Sequence, residues 1–561
     1  MAKTKIDWQR NLLLAAMAAT VFMLIGEWSE FQERNRPVVN NETSFEATPV
    51  QSQTDFPSVQ TSDAEDIPSD PDAVKPVSDK PGANQQLISI RTDSLVMLID
   101  TYGGDIVKVG LPRHYAELNT PDVPYILLNN NDTQTYIAKS GLIGKNGTDT
   151  SAGRPVFSVD NNTFEMRDGQ DTLVVDLHLV QDNANITKRF TFSRGDYLVN
   201  IEYIVENTGS DIWKANFYGQ LNRDSHNPVV SSGGMGMAPF LGAALTTNEE
   251  NYSKFTFDDI ADTRFKETVS GGWVAMVQHY FLSAWIANPD QENTFELKKQ
   301  GTDDLYLMRY IAPKTEVLPG NTGTITSAFY AGPKDVYRLE EIAPYLDLTV
   351  DYGFLWWIAK PIFRFLHFIY SYVGNWGWSI VLLTVSIKAL FFHLSATSYR
   401  SMAKMRKIQP MMQELKERMG DDKQKMSTEL MKLYKKEKVN PLGGCLPILV
   451  QMPVFISLYW VLMESVELRH TPFLFWIQDL SVKDPYFVLP LIMGLTMWIQ
   501  QKLNPTPPDP MQARVMQMMP IVFTFMFLWF PSGLVLYWVV NNTLSIIQQY
   551  VITKQIEAAD S

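Results

Sequence analysis

Five apolar segments crowd the last third of the chain, at residues 376–395, 446–463, 486–501, 515–530 and 533–552, and the first carries a lysine near its centre. At about 1.5 Å per residue a 20-residue helix covers a hydrocarbon core of roughly 30 Å, and lipid accepts only backbone whose polar groups are satisfied internally. The pattern therefore predicts a bundle of membrane helices. Apart from Lys388, none of the five segments contains a charged residue. A Lys at mid-helix costs roughly 2.5–3.5 kcal/mol on insertion scales, so an intramembrane cation marks a functional site by default. Snorkelling is the bland alternative, but Lys388 lies about as far from Trp378 as from Arg400, a long reach to either interface.

The mean hydropathy of -0.11 averages this apolar third with a polar, acidic first half, and the two are read as separate bodies. The net charge of -13 belongs to the soluble part and argues against nucleic acid as its partner. A single cysteine, Cys445, excludes an intrachain disulfide and a cysteine-based zinc cluster; it is expected to pack as a small membrane residue. Lys3, Lys5 and Arg10 precede an apolar run from Leu12 to Ile25, and no small-x-small cleavage site follows, so residues 1–31 are expected to form an uncleaved signal anchor. Residues 32–84 are rich in Pro, Ser, Asp, Glu, Asn and Gln and poor in large apolar side chains, the composition of a disordered tether.

From residue 85 the hydrophobic period changes to two, in runs at 95–100, 173–179, 186–192, 197–204 and 305–310, with turn signals at Gly103-Gly104 and Asn207-Thr208-Gly209. These predict an all-β sandwich over 85–346, closed by a short helix bearing Val336, Leu339 and Ile342. Residues 352–373 are aromatic with one polar stripe, Lys360, Arg364, His367 and Ser371, the pattern of an amphipathic helix lying in a membrane interface; His367 is read as a solvated member of that stripe rather than a metal ligand.

The loop 400–438 holds twelve Lys and Arg, whereas the loop 464–484 holds only Arg469 and Lys483. The positive-inside rule places the first in the cytoplasm and the second outside, giving six spans with the anchor, both termini inside, and an extracytoplasmic β-domain. The basic loop reads as two amphipathic helices around Gly420-Asp421-Asp422. Met402, Met405 and Met412 are on an apolar side, with Arg406, Lys407 and Lys435 in the basic exterior. The apolar sides are expected to pair; a flexible Met-rich surface also suits varied apolar partners, and the basic exterior suits anionic lipid or ribosomal RNA. Pro447, Pro453, Pro490 and Pro520 are expected to break helical ladders and so to border a hydrated cavity. Thr384, Gln451, Thr524 and Asn541 could line it with Lys388, although each taken singly suits an ordinary interhelical hydrogen bond.

Six strings, Gly374-Asn375-Trp376-Gly377, Ser401-Met402-Ala403-Lys404-Met405, Gly420-Asp421-Asp422-Lys423-Gln424, Lys438 to Cys445, Gln451-Met452-Pro453 and Phe530-Pro531-Ser532-Gly533-Leu534, occur in one order across the membrane region. In them the chain resembles the YidC family of membrane protein insertases, in its Gram-negative form with a large periplasmic domain. The resemblance implies a polytopic α-helical protein of six transmembrane helices. Its five-helix core over 374–554 encloses a hydrophilic groove open to cytoplasm and lipid, and a periplasmic β-supersandwich related to sugar-mutarotase folds is attached. It implies a bacterial inner-membrane protein that binds nascent membrane proteins, alone or with the Sec translocon and ribosome, and releases their hydrophobic segments into lipid. No cofactor, no enzymatic activity and no specific nucleic-acid sequence are implied. The family's groove arginine corresponds to Lys388, Gln451 matches a groove-facing position, and Phe455, Tyr537 and Trp538 match the surface along which substrate slides. Lysine keeps the charge but lacks the planar fork of arginine, so bidentate contacts to substrate do not carry over.

Two other classes remain to be weighed. An ion-coupled transporter would show inverted repeats or several midplane titratable groups, and here one cation stands alone. A membrane-anchored periplasmic carbohydrate-active enzyme would need paired catalytic groups, and His114, His178, His226 and His279 show no visible pairing with a carboxylate. No phosphate-binding loop is present.

Overall fold

A computed structural model of the chain describes residues 86–131, 133–151, 153–228, 239–419, 423–437, 446–504 and 510–560. The expected anchor (1–31), the tether (32–84), Cys445 and the turn Gly420-Asp421-Asp422 lie outside them.

The alternating runs fall on strands Val96–Asp100, Thr172–Gln181, Ala184–Ser193, Leu198–Asn207 and Tyr306–Val317. Among the described residues two sheets form. One has ten strands, in the order Phe265–Ser270, Glu292–Lys299, Tyr306–Val317, Trp213–Arg223, Gln134–Ile143, Pro124–Asn131, Asp105–Tyr115, Val96–Asp100, Leu87–Arg91 and Thr163–Glu165. The other has eight, in the order Ser253–Phe255, Gly242–Leu245, Trp273–Val277, Phe281–Ile286, Thr322–Pro333, Leu198–Asn207, Ala184–Ser193 and Thr172–Gln181. Ring contacts among Tyr203, Phe217, Trp285 and Tyr310 run through the core. Gly103 and Gly104 turn the chain with φ of +72° and +65°, a conformation open to glycine at little cost. Their carbonyls, with that of Ser140, receive the fully buried ammonium of Lys188 at 2.9–3.2 Å.

Helices α1 (Phe257–Asp262) and α2 (Val336–Ile342) belong to the sandwich, and the Asp335 carboxylate caps α2 by accepting from the N–H groups of Tyr337 and Arg338. After them come α3 (Trp356–Val373), α4 (Trp376–Leu390), α5 (Phe392–Met419), α6 (Lys423–Lys436), α7 (Leu446–Glu464), α8 (Val488–Leu503), α9 (Pro510–Phe527) and α10 (Ser532–Asp560). A second core runs without interruption from Trp273, Leu282, Ala284 and Tyr330 of the eight-stranded sheet, through Val336 and Leu339, to Phe363, Ile380, Leu458 and Leu534 of the helices. The sandwich is thus packed onto the helical body. Lys334, just past the last strand, pairs at 2.5 Å with Glu464 at the end of α7, both almost wholly buried, and Arg469 donates to the carbonyls of Tyr115 and Ala116. The loop 464–484 therefore lies on the sandwich side of the bundle.

Several expectations are corrected. The segment 376–395 is not one helix: α4 and α5 meet at Phe391 with a bend of 67°. No proline or glycine causes it. Phe391 N–H still donates to the Ile387 carbonyl and Ser395 N–H to that of Phe391, while Lys388 is drawn to α10 and Ala396 and Tyr399 pack with Ile552 further along it. No single helix among the described residues is long and apolar enough to cross a membrane; this bent pair passes together, and shorter apolar stretches occupy Val450–Glu464 and Ala513–Phe527. Pro447 and Pro490 sit in the first turns of α7 and α8, where a missing N–H breaks no ladder, so of these four prolines Pro453 and Pro520 are the two inside helices. The polar stripe of α3 is not simply solvated. Lys360 pairs with Glu340 and Asp347, Arg364 pairs with Glu340, and His367 rests against Tyr337 and Phe363.

Candidate functional site

The Gly374-Asn375-Trp376-Gly377 string sets up the helix that carries Lys388. Gly374 ends α3 at φ +67°, the Asn375 side chain caps α4 by accepting from the Trp378 N–H, and Gly377 leaves room for the Phe473 ring, which an added Cβ would strike. Three turns on, Lys388 is 4 % exposed. Its ammonium donates to the Ser545 hydroxyl on α10 at 2.7 Å, and that hydroxyl donates to the Asn541 carbonyl at 2.8 Å. The Gln451 amide on α7 donates to the Asn541 side-chain oxygen at 3.3 Å. Lys388, Asn541 and Gln451 therefore join in one polar chain across three helices. Among the described residues Lys388 forms no ion pair, and its hydrogen bond is to the Ser545 hydroxyl.

Ser545 escaped the sequence reading. It stands one turn after Asn541 and one before Gln549, a spacing of four that marks a polar face on α10. The same face binds α8: Asn542 donates to the Thr496 hydroxyl, and Gln549 to the Leu503 carbonyl and the Asn504 side chain.

Thr384 and Thr524 do not join the chain. Each hydroxyl turns back one turn on its own helix, to the carbonyls of Ile380 and Pro520. Thr524 also fills the space left by Gly494, which lets α8 and α9 approach closely. Phe455, Tyr537 and Trp538 do come together, with the Phe455 ring 5.0 Å from Trp538 and 6.4 Å from Tyr537. Tyr537 is 2 % exposed, whereas the rings of Phe455 and Trp538 remain partly accessible.

The basic hairpin forms from α5 and α6. Met405 and Met412 pack with Ile408, Leu430, Leu433 and Tyr434, as the apolar pattern required. Met402 does not: it sits with Ala396, Tyr399, Ile552 and Ile556, because α5 runs unbroken from the bundle into the hairpin. Arg406 also serves the bundle, donating at 2.9 Å to the Lys502 carbonyl near the end of α8, where a cation complements the helix dipole. Lys407 and Lys435 are exposed. Among the described residues no cluster of His, Cys, Asp and Glu could hold a metal ion.

Residues 87–365 match the family described as YidC periplasmic domain, and residues 368–559 that described as 60Kd inner membrane protein. A membrane protein insertase YidC from Cellvibrio japonicus is 58 % identical over 99 % of this chain and 100 % of its own length. One from Saccharophagus degradans is 56 % identical with the same coverage. A crystal structure of an active YidC insertase with its first transmembrane domain resolved aligns at TM-score 0.38 and 16 % identity, covering 83 % of this chain and 95 % of that one, a likeness too low to carry weight here. The full-length identity to the two insertases is decisive: this chain belongs to the YidC family of membrane protein insertases.

Proposed function

We propose that Lys388 is the cation that receives polar, acidic segments of nascent membrane proteins inside the bundle, before their hydrophobic segments pass into lipid. The observation that carries this reading is a buried ammonium with no carboxylate paired to it among the described residues, held by the Lys388–Ser545–Asn541–Gln451 chain. A charge left uncompensated in a low-dielectric site attracts an incoming anion far more strongly than one already paired or in water. Gln451 and Asn541 offer further polar groups to the same segment, and Phe455 and Trp538 the adjoining aromatic surface. Six spans with both termini in the cytoplasm fit the charge asymmetry of the loops, and the packing of loop 464–484 on the sandwich supports the same sidedness. The Sec translocon and the ribosome are the partners proposed for this step. Insertion of a ribosome-bound substrate into vesicles containing Lys388 variants tests the assignment.

The hairpin serves capture. Its apolar seam is internal beyond Arg406, whereas Met411 and Met431 and most of its basic side chains remain exposed. Replacing Ile408 to Lys436 with a short Gly-Ser linker should leave a folded, detergent-stable protein that inserts substrate at least tenfold more slowly. The cut begins after Met402 and Arg406 because those two hold the bundle. Normal insertion, or collapse of the protein, would contradict this role.

The sandwich is accessory to insertion but not to stability. Removing residues 85–320 keeps Lys334, α2 and α3 and should preserve at least half of the insertion activity, with a lower melting temperature because Trp273, Leu282 and Ala284 leave the second core. Extending the deletion to residue 346 also removes Lys334 and should abolish activity. Growth of insertase-depleted cells, with the truncated chains quantified in the membrane, separates the two; equal growth would refute the distinction.

A further inference from the structure

One face of α8 is an apolar stripe that ends in a cation. Leu491, Leu495, Trp498 and Lys502 recur at spacings of four, three and four, and all four side chains are exposed. A lysine near the end of a membrane helix ordinarily stretches outward to water. Lys502 does the opposite: its ammonium folds back one turn and stands 3.6 Å from the centre of the Trp498 ring, at the boundary between the apolar stripe and the polar end of the helix. The root of the hairpin brings a second charge to the same turn. Arg406 of α5 donates one N–H to the Lys502 carbonyl and keeps its other donors free to face solvent. Neither cation is paired with a carboxylate among the described residues. The end of α8 does little to repel an anion, because the carbonyls of Lys502 and Leu503 already accept from Arg406 and Gln549 and the negative end of the helix dipole is offset.

We propose that this turn of α8 binds the phosphate of an anionic phospholipid, whose acyl chains run along Leu495 and Leu491. The inference rests on the reading that α8 crosses the membrane, and not on the role of Lys388. Charge complementarity names the occupant. Two cations from different elements meet one phosphate, Arg406 through its planar fork and Lys502 as a point charge, whereas a zwitterionic lipid brings a cation of its own and gains less. An RNA phosphate would satisfy the same cations but leave the stripe beneath them uncovered; an acyl chain covers it, and Trp498 sits between the two as an interfacial aromatic residue does. Because Arg406 belongs to the helix of the hairpin and Lys502 to the bundle, the bound lipid fastens one to the other.

The test uses the full-length protein in nanodiscs of mixed dioleoyl phosphatidylglycerol and phosphatidylethanolamine, with native mass spectrometry reading the lipids retained on release. Phosphatidylglycerol should be retained at least tenfold better than the ethanolamine lipid. Lys502→Gln and Arg406→Gln should each weaken its binding about fivefold, the effect of one cation near an anionic membrane surface. Gln at 406 can still donate to the Lys502 carbonyl, and Lys502 is exposed, so its variant carries the test if the other fails to fold. Lys432→Gln, on the exposed side of α6, should change nothing. Undiminished binding by the first two variants, or equal loss from all three, would overturn the site. Displacement of the lipid by an equal concentration of inorganic phosphate or of a short RNA duplex would assign the cations to another anion and overturn the lipid. A benzophenone probe at position 495 should form adducts with acyl chains. Absence of adducts would overturn the proposal through its premise, by taking α8 out of the bilayer; adducts without preference for phosphatidylglycerol would overturn the site alone. No arm uses an insertion assay, so the role of Lys388 is tested separately.

Discussion

Lys388→Glu should lower insertion of substrates with acidic translocated tails at least tenfold, while Lys388→Arg retains it. A unit charge about 4 Å from a substrate carboxylate at an effective dielectric of 20 contributes roughly 4 kcal/mol of attraction, and reversing its sign turns the same term into repulsion. Competing water and counterions reduce this, yet about 1.4 kcal/mol suffices for the tenfold effect. Arg is longer, remains a cation and can still donate to Ser545, so it should preserve the attraction. Lys388→Gln separates charge from fold: it can still donate to Ser545 and should melt like the wild type while inserting acidic substrates poorly. Substrates whose translocated segments lack acidic residues should discriminate least among the three variants. Equal insertion of acidic substrates by the Glu variant would remove Lys388 from the mechanism.

Lys334→Met should be the most destabilising single change at the junction, costing about 3–5 kcal/mol. Lys334 and Glu464 are 3 % and 5 % exposed, and removing the ammonium strands a carboxylate that water cannot reach. Lys334 also donates to the Thr349 carbonyl at 3.3 Å, so one side chain ties the end of the sandwich, the turn before α3 and the end of α7. The double variant Lys334→Met with Glu464→Met should recover most of the loss, since replacing both charges by apolar groups of similar size is often neutral. Thermal melting of the solubilised chain in a double-mutant cycle reads the coupling. A single variant as stable as the wild type, or a double variant worse than the sum of the singles, would show that the pair does not fasten the two bodies.

The contrast between these two lysines shows what a sequence discloses. Lys388 is conspicuous because one charge in an apolar run violates the solvent preference of its surroundings. Lys334 sits in an ordinary polar stretch, and its partner lies 130 residues away, so nothing local marks it. The strands near Thr172–Gln181 and Ala184–Ser193 were legible from their period of two, whereas the parallel pairing of Leu87–Arg91 with Thr163–Glu165 depends on long-range register that no local pattern encodes. The polar stripe of α3 was legible as a stripe, but its neutralisation by Glu340 and Asp347 was not, because those residues belong to a different element. Ser545 was within reach, as the polar residue between Asn541 and Gln549 on one face, but a serine on an apolar helix reads first as a side chain satisfied by its own backbone. The bend at Phe391 carries no Pro or Gly signal; tertiary packing on α10 sets it. Tyr537 is matched to the sliding surface through resemblance alone, and its burial is not legible in the sequence because a motif fixes residue type without fixing exposure.

The measurement closest to the central claim is site-directed photocrosslinking from position 388 to a ribosome-bound nascent membrane protein, with probes also at Ser545 and at exposed Phe354 on the sandwich side. The proposed mechanism predicts that acidic, polar residues of the arrested substrate crosslink to 388 and 545 and not to 354. The 388 adducts should appear before the hydrophobic segment reaches lipid and disappear once insertion is complete. Crosslinks confined to the hydrophobic segment, or absent from 388 at every chain length while insertion proceeds, would contradict it.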